Sequence, residues 1–437
     1  MKRVIHKISA FCCMVLLAVL LSGCVGTSVE DLMTLPQLST QYTELSRQID
    51  ELVKSGYEYA APSSGRNIQS VQMVDLNGDG YDEAVAFMRL PSDEKQQKIF
   101  VFCRTEDSYT TLCTIESAGT GIDSVYYRDV TGDGKMEIIV GWRISTDVQA
   151  VAVYALEEEP TVLMRSSYTR FSIEELDGDG VPSLLLFRTD SEGNSVAEFY
   201  TWRDETMTVT YHCPLSSDMA ALSRGSVVSG KLTDDGQPAV FVTGIDNQGV
   251  ATTDILTFRK GLGLVNVALD TTTGRSKEIY PYCQLQPQDI NNDGVIELPN
   301  PVVDDDGENQ VGGIISWIRY DSDGEDKWIA DTYHCPNVDW YFALPGEWHD
   351  KVNATIVESV NGESCVILQV DGESVLALYS ITGANREARV TRGNLLVLER
   401  QPTVIYACEL LPAAEKYGMT QDIAYRSFHL ITNFWQS

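Results

Sequence analysis

Five times along its 437 residues the chain repeats one short acidic loop, three times cleanly. The clean copies are Asp75-Leu-Asn77-Gly-Asp79-Gly80-Tyr-Asp-Glu83, Asp129-Val-Thr131-Gly-Asp133-Gly134-Lys-Met-Glu137 and Asp289-Ile-Asn291-Asn-Asp293-Gly294-Val-Ile-Glu297. A weaker copy reads Glu175-Leu-Asp177-Gly-Asp179-Gly180-Val-Pro-Ser183, and a degenerate one Lys231-Leu-Thr233-Asp-Asp235-Gly236-Gln-Pro-Ala239. Oxygen side chains at positions one, three and five, with a carboxylate at nine, suit a hard cation such as Ca2+. The glycine at six permits the positive φ that turns the loop back on itself. Tight Asn-Gly and Asp-Gly hairpin turns account for the glycines alone, whereas three carboxylates within nine residues repel one another unless a cation is near. The calcium loop of the EF-hand opens in the same way, but its last ligand stands at position twelve between helices. Here the acid stands at nine, and apolar runs follow at once in Ala84–Phe87, Ile138–Val140, Leu184–Phe187 and Ala239–Val242. Those runs read as strands, so the loop joins strand to strand.

First positions fall at 75, 129, 175, 231 and 289, with intervals of 54, 46, 56 and 58. A period of this size marks a repeat architecture, with room for four strands in each unit. The first unit predicts strands over Ser70–Val74, Glu83–Met88, Lys98–Arg104 and Tyr109–Glu116. The second predicts Asp123–Tyr127, Glu137–Trp142, Val148–Leu156 and Thr161–Ser166. Four-stranded units at this spacing are what propeller blades look like. The loop with its flanking strands resembles the FG-GAP/VCBS repeat family over roughly residues 66–335. The resemblance implies a mainly β fold, a β-propeller of about five four-stranded blades, with Ca2+ held in the Asp-rich loops. Its ligands would be Asp75, Asn77, Asp79 and Glu83; Asp129, Thr131, Asp133 and Glu137; and Asp289, Asn291, Asp293 and Glu297. Ser183 replaces the acid in the third loop and Lys231 the first ligand in the fourth, so neither is expected to hold metal.

Residues 1–23 read as a leader to be removed. Lys2, Arg3 and Lys7 form a basic start, and Phe11–Leu21 is an apolar run too short to span a bilayer. Leu21-Ser22-Gly23-Cys24 matches a bacterial lipobox, which predicts cleavage before Cys24, lipid on that cysteine, and a 414-residue protein at the extracytoplasmic face of a cell membrane. Residues 24–65 then form a tether and an amphipathic helix, since Leu38, Tyr42, Leu45, Ile49 and Leu52 recur at helical spacing and Gly56 supplies a stop. The helix is expected to pack on the rim of the propeller or to cap it.

The repeat rhythm ends near Pro336. Strand-like runs follow at Ala354–Val357, Ser364–Val370, Ser374–Ile381, Leu395–Glu399 and Thr403–Leu410, and Thr420 is placed to cap a closing helix. This predicts a small α+β domain over residues 336–437, or else further blades.

Removing the basic leader takes the net charge from −31 to −34. Such a balance argues against nucleic acid, which is bound by neutralising phosphates with Lys and Arg. Cysteines 103, 113, 213, 283, 335, 365 and 408 are odd in number, so at least one is unpaired within the chain. Tyr-His-Cys-Pro occurs at Tyr211–Pro214 and Tyr333–Pro336 and reads as an echo of the repeat. The histidines show no metal-ligand spacing, and there is no G-x-S-x-G elbow, P-loop or dinucleotide fingerprint. The expectation is therefore a non-catalytic, calcium-stabilised surface lipoprotein that displays a scaffold to an extracellular protein or carbohydrate. Trp340, Tyr341, Phe342 and Trp348 are the aromatic candidates for contact, although most of those rings are expected to pack in the core. The competing expectation is an extracellular polysaccharide hydrolase or lyase, with its site in the propeller funnel or the C-terminal domain.

Overall fold

The computed structural model describes residues 40–105, 108–303, 310–334, 339–360 and 362–431. The leader, the lipobox with Cys24 and the residue Cys335 lie outside the described residues. The fold is mainly β, and among the described residues it is built from six antiparallel sheets of four or five strands each and one two-stranded sheet, Leu269–Asp270 with Arg275–Ser276.

Chain order and sheet order agree through most of the molecule. Glu58–Tyr59 and Val71–Val74 share one edge of Glu83–Arg89, and Gln97–Arg104 and Tyr109–Ser117 complete the first sheet. The second is Gly121–Arg128, Glu137–Arg143, Gln149–Ala155 and Thr161–Tyr168. The third is Arg170–Glu174, Ser183–Thr189, Ser195–Arg203 and Thr206–Pro214. The fourth runs Ser226–Lys231, Pro238–Ile245, Val250–Arg259 and Gly263–Asn266, with Glu278–Pro281 on the same edge as the last. Leu298–Val303, Gln310–Tyr320, Asp326–His334, Trp340–Leu344 and the late strand Phe428–Leu430 form the fifth. In the sixth, Val352–Val360, Glu363–Val370 and Glu373–Thr382 are followed by Val404–Leu410, with Leu396–Arg400 outermost.

Alternation along the strands explains how these sheets stack. In the second strand of the first sheet, Val85 and Phe87 face one way and Ala84, Ala86 and Met88 the other, all fully buried. Successive side chains of a strand point to opposite faces, so a strand buried on both sides reads as an unbroken apolar run. Val85, Phe87 and Ile99 pack with Ile138, Val140 and Trp142 of the second sheet. The opposite face of the second sheet, Ile139, Val151 and Val153, packs on Leu184 and Leu186 of the third. The pattern continues between third and fourth sheets, fourth and fifth, and fifth and sixth.

The predicted closed five-bladed propeller is not found. Both end faces of the stack are taken by helices. On the first sheet, Leu45 and Ile49 of the Thr40–Lys54 helix cover Ala84, Met88, Phe100 and Tyr109. On the sixth, Val390 of the Arg386–Gly393 helix packs on Ile381 and Ile405. Among the described residues no apolar cluster joins the first sheet to the sixth.

The boundary expected at 335–336 falls inside the fifth sheet, where Trp340–Leu344 pairs with Asp326–His334. Thr420 does cap the closing helix Gln421–Ser427, its hydroxyl accepting the Ile423 N–H at 3.2 Å. Among the described residues no helix is long and apolar enough to cross a membrane.

The end-capping helix generates a direct test. Leu45→Ala should lower unfolding stability by about 2–4 kcal/mol through a cavity against the first sheet, whereas exposed Ser46→Ala stays within about 0.5 kcal/mol. Paired denaturant melts measure both.

Candidate metal sites along the loop edge

Every acidic loop closes in one register. The residue before position one pairs with position nine: Val74 with Glu83, Arg128 with Glu137, Glu174 with Ser183, Gly230 with Ala239, and Gln288 with Glu297. Position two is apolar in all five copies, and Leu76, Val130, Leu176 and Leu232 are buried as plugs beneath their loops. Sequence reasoning passed over this column because one apolar residue in a polar run carries no periodicity. Its recurrence at the same place was the available signal.

Two positions in each clean loop take positive φ. Gly78 and Gly80 sit at +74° and +86°, Gly132 and Gly134 at +76° and +87°, and in the fifth loop Asn292 at +60° stands where the others have glycine. Asparagine tolerates the left-handed region, so the substitution keeps the turn.

The acids at one and nine have hydrogen-bonding roles of their own. Asp75 accepts the N–H groups of Gly78 at 2.8 Å and Gly80 at 2.9 Å, and Asp129 those of Gly132 at 2.7 Å and Gly134 at 2.8 Å. Asp289 accepts from Asp293 at 3.1 Å and Gly294 at 2.8 Å. The carboxylate at nine reaches under the loop to the N–H of position two: Glu83 to Leu76 at 2.9 Å, Glu137 to Val130 at 2.8 Å, Glu297 to Ile290 at 3.1 Å. These bonds explain acids that the sequence reading referred to a cation alone.

Burial makes those glutamates electrostatically expensive. It pushes the Glu83 and Glu137 carboxyls above their ordinary range, with the neighbouring aspartates adding repulsion and the backbone N–H opposing. Glu297, fully buried, is pushed up to about 7 for the same reasons. Its Oε1 has no hydrogen-bond partner among the described residues.

Position three reaches the acid at nine in the first two copies and the acid at five in the fifth. Asn77 donates to Glu83 Oε1 at 3.3 Å and Thr131 to Glu137 Oε1 at 3.3 Å, while Asn291 donates to Asp293 at 3.0 Å. The fifth loop also meets an arginine: Arg319 lies 3.3 Å from Asp293 and 3.0 Å from Asp234 of the fourth.

The third loop, expected to be the poor one, is where carboxylates converge. Oxygens of Glu175, Asp177 and Asp179 lie within 4.8 Å of one another, and this is the one such group among the described residues. Ser183 stands at position nine of this loop, where the clean copies have glutamate. In the three loops expected to bind Ca2+, the acids are more widely spread.

The loops also touch each other. Met136 of the second donates its N–H to Leu76 of the first at 2.7 Å. A Cβ on Gly78 would stand 3.0 Å from the Gly134 carbonyl oxygen, and one on Gly132 would stand 3.0 Å from Val181 of the third. Three acidic loops thus form one continuous edge. Among the described residues no ion pair reaches Asp75, Asp79, Glu83, Asp129, Asp133, Glu137, Glu175, Asp177 or Asp179. An oxygen-only donor set with this much unneutralised charge fits a hard divalent cation. Between the first and second loops a cleft of about 110 Å³ opens, lined by Asn77, Glu83, Leu112, Asp133, Lys135, Glu137 and Leu156.

The aromatic candidates lie elsewhere and mostly inside. Trp340, Phe342 and Trp348 are at most 1% exposed and fill the core between the fifth and sixth sheets, which removes them as contact residues. Tyr341 is half-buried, stacked between the rings of His334 and His429. Cysteines 103, 113, 213, 283, 365 and 408 are all free thiols.

No family model matches the chain, and no curated protein matches it. Two solved structures are similar over much of its length. One is the complex of the fission yeast SREBP–SCAP binding domains, at 12% identity over 82% of this chain and 82% of that one, with a TM-score of 0.28. The other is MPT-1, a GDP-Man-dependent mannosyltransferase from Leishmania mexicana, at 12% identity over 84% of this chain and 93% of that one, with a TM-score of 0.18. At such scores neither likeness carries an argument, and the resemblance to FG-GAP/VCBS repeats rests on the loop residues.

The raised Glu297 carboxyl gives a pH signature. As pH rises from its ordinary value of 4.5, the unfolded chain ionises first, and the native state loses stability until Glu297 itself ionises near 7. In chelator, Glu297→Gln should therefore gain on the wild type between pH 5 and 8, by up to about 3 kcal/mol. Denaturant melts across that range measure it; a constant difference refutes it.

Proposed function

We propose that the chain is a non-catalytic, lipid-anchored display scaffold on the extracytoplasmic face of a cell membrane, stiffened by Ca2+ and binding an extracellular protein or carbohydrate. Its six sheets serve as propeller-type blades in an open stack with helices at both ends. The observation that carries this reading is the continuous edge of three touching loops whose ten carboxylates have, among the described residues, no cationic side chain within ion-pair distance. Bound Ca2+ would be held by Asp75, Asn77, Asp79 and Glu83, by Asp129, Thr131, Asp133 and Glu137, and by the converging Glu175, Asp177 and Asp179. Asp289, Asn291, Asp293 and Glu297 would hold it more weakly, because Arg319 already supplies positive charge there. The ion would relieve repulsion and lock each loop to its hairpin.

The anchor is the lipobox cysteine Cys24, and firm attachment takes more than one short acyl chain. The cleft between the first and second loops, acidic at its walls and apolar at Leu112 and Leu156, suits a cationic group on the partner. Loops held on a rigid scaffold are a common place for recognition.

With affinities typical of extracellular modules and about 1 mM free ion, each filled loop should add roughly 0.4–1.4 kcal/mol. Ca2+ should raise the melting temperature at fixed ionic strength. Asp79→Ala combined with Asp133→Ala should shrink that rise, and Asp177→Asn should shrink it further. A melt indifferent to Ca2+ and chelator overturns the calcium part of the proposal.

A hydrolase or lyase reading has one observation in its favour. Glu278, 4% exposed, borders a cleft shared with Tyr280, Asn300, Tyr320 and Asp326, and burial pushes its carboxyl upward. A raised carboxyl is what a general acid requires. Both its oxygens, however, are held, by Tyr320 OH at 2.6 Å and Asn300 Nδ2 at 2.9 Å. Polysaccharide turnover abolished by Glu278→Gln would select this reading over the scaffold.

A further inference from the structure

A cleft of about 470 Å³ opens between the fourth and fifth sheets and shares no lining residue with the acidic loops. We propose that it binds a neutral oligosaccharide, with Tyr280, Asn300, Ser316 and Asp326 as the contacting residues. The inference deepens the display reading and rests on it in one respect, that the sugar is held and not cleaved.

Both walls are edge strands. Glu278–Pro281 lies at the edge of the fourth sheet and Leu298–Val303 at the edge of the fifth. An open edge is ordinarily a template on which a peptide can add a strand. Here Pro281, Pro299 and Pro301 interrupt it. Proline has no N–H to donate and sits in edge strands where that N–H would face outward. A ligand of this cleft is therefore recognised through side chains, and an added peptide strand is disfavoured.

The side chains present an unused set of hydrogen-bonding groups. Beneath them Glu278, 4% exposed, accepts from Tyr320 OH at 2.6 Å and from Asn300 Nδ2 at 2.9 Å. The second bond holds the Asn300 amide in place, and its Oδ1 is left over. Among the described residues Asn300 Oδ1, Tyr280 OH, Ser316 Oγ and the Asp326 carboxylate have no hydrogen-bond partner. Tyr280 and Ser316 are half-buried and Asp326 is exposed, so all three are within reach of a ligand. Amide and carboxylate oxygens accept, whereas the two hydroxyls both donate and accept. A rim of sugar hydroxyls, which also do both, satisfies that mixture.

Charge and shape point the same way. Lys277 and Asp326 bring opposite charges to the walls, and burial works against a charge on Glu278. In a chain of net charge −31 such a balance is local, and it suits an uncharged ligand. Val302 and Ile318, with the ring of Tyr280, supply apolar surface for the C–H groups of a pyranose. The volume is that of an ordinary ligand cleft.

The test is calorimetric titration of the intact protein, in millimolar Ca2+, with cellohexaose, mannohexaose and xylohexaose. Hexagalacturonate serves as the charged counterpart and an alternating Val-Thr hexapeptide as the strand-forming one. At least one neutral hexasaccharide should bind, more tightly than either of these. Tyr280→Ala should weaken that binding about tenfold, and Asp326→Ala should do so about tenfold as well. Tyr425→Ala, at an exposed tyrosine outside the cleft, should leave it unchanged. Thermal melts report whether each variant folds; should Tyr280→Ala unfold, the exposed Asp326→Ala decides alone. Binding of no neutral hexasaccharide, equal or tighter binding of hexagalacturonate or the peptide, or an unchanged affinity in Asp326→Ala overturns the proposal. Mass spectrometry of the spent mixtures separates this from the wider reading. Cleaved hexasaccharide, with binding still weakened by Asp326→Ala, would leave the cleft assigned and refute the non-catalytic scaffold.

Discussion

One hydrogen bond, made in three loops, organises the molecule: a buried glutamate at position nine accepts the backbone N–H of position two. Glu83 to Leu76, Glu137 to Val130 and Glu297 to Ile290 tie the end of each loop to its beginning. The tie reinforces a pairing across the hairpin that the third and fourth loops reach without it, and a slip of one residue would exchange the two faces of the strand. Because both faces are buried, that exchange would set Val85 and Phe87 against the helix and Ala84, Ala86 and Met88 against the second sheet. Small and large residues would then meet the wrong partners, and close-packed interiors tolerate such changes poorly. Loop closure, strand register and sheet stacking are therefore a single problem solved in one place.

The same bond concentrates charge. Carboxylates are held beneath and around loops that abut their neighbours, and the penalty shows most clearly at Glu297, whose proton is retained up to about pH 7. The molecule relieves the charge unevenly. At the fifth loop Arg319 bridges Asp293 and Asp234. At the first three loops no ion pair does so among the described residues, and in the proposed function a hard cation from solution would take that part.

Much of this was legible in the residues. Strands such as Glu83–Arg89 and Glu137–Arg143 begin at the glutamate that the loop pattern marks and run on through apolar residues, so their starts were readable to the residue. The Thr420 cap and the apolar face of the Thr40–Lys54 helix were likewise local signals. What escaped is non-local. An open stack instead of a closed ring depends on which element reaches the outer face of the first and sixth sheets, and no motif encodes that. That Trp340 and Phe342 would pack inside was expected, but not that their strand continues the fifth sheet, which is what turns them into the core. Pairing of Phe428–Leu430 with the same strand brings together segments more than eighty residues apart in the chain. In the third loop, Glu175, Asp177 and Asp179 lie together around a turn whose missing acid at Ser183 is what a motif reading registers.

The claim on which the account turns is that the loop edge takes up discrete Ca2+ ions, and counting them tests it most directly. Native mass spectrometry of the protein at increasing Ca2+ should show a small integer set of adducts at saturation. One adduct should disappear with each of Asp79→Ala, Asp133→Ala and Asp177→Asn, while Asp235→Ala in the fourth loop removes none. A mass distribution that broadens smoothly with Ca2+ and is the same in every variant would contradict the account.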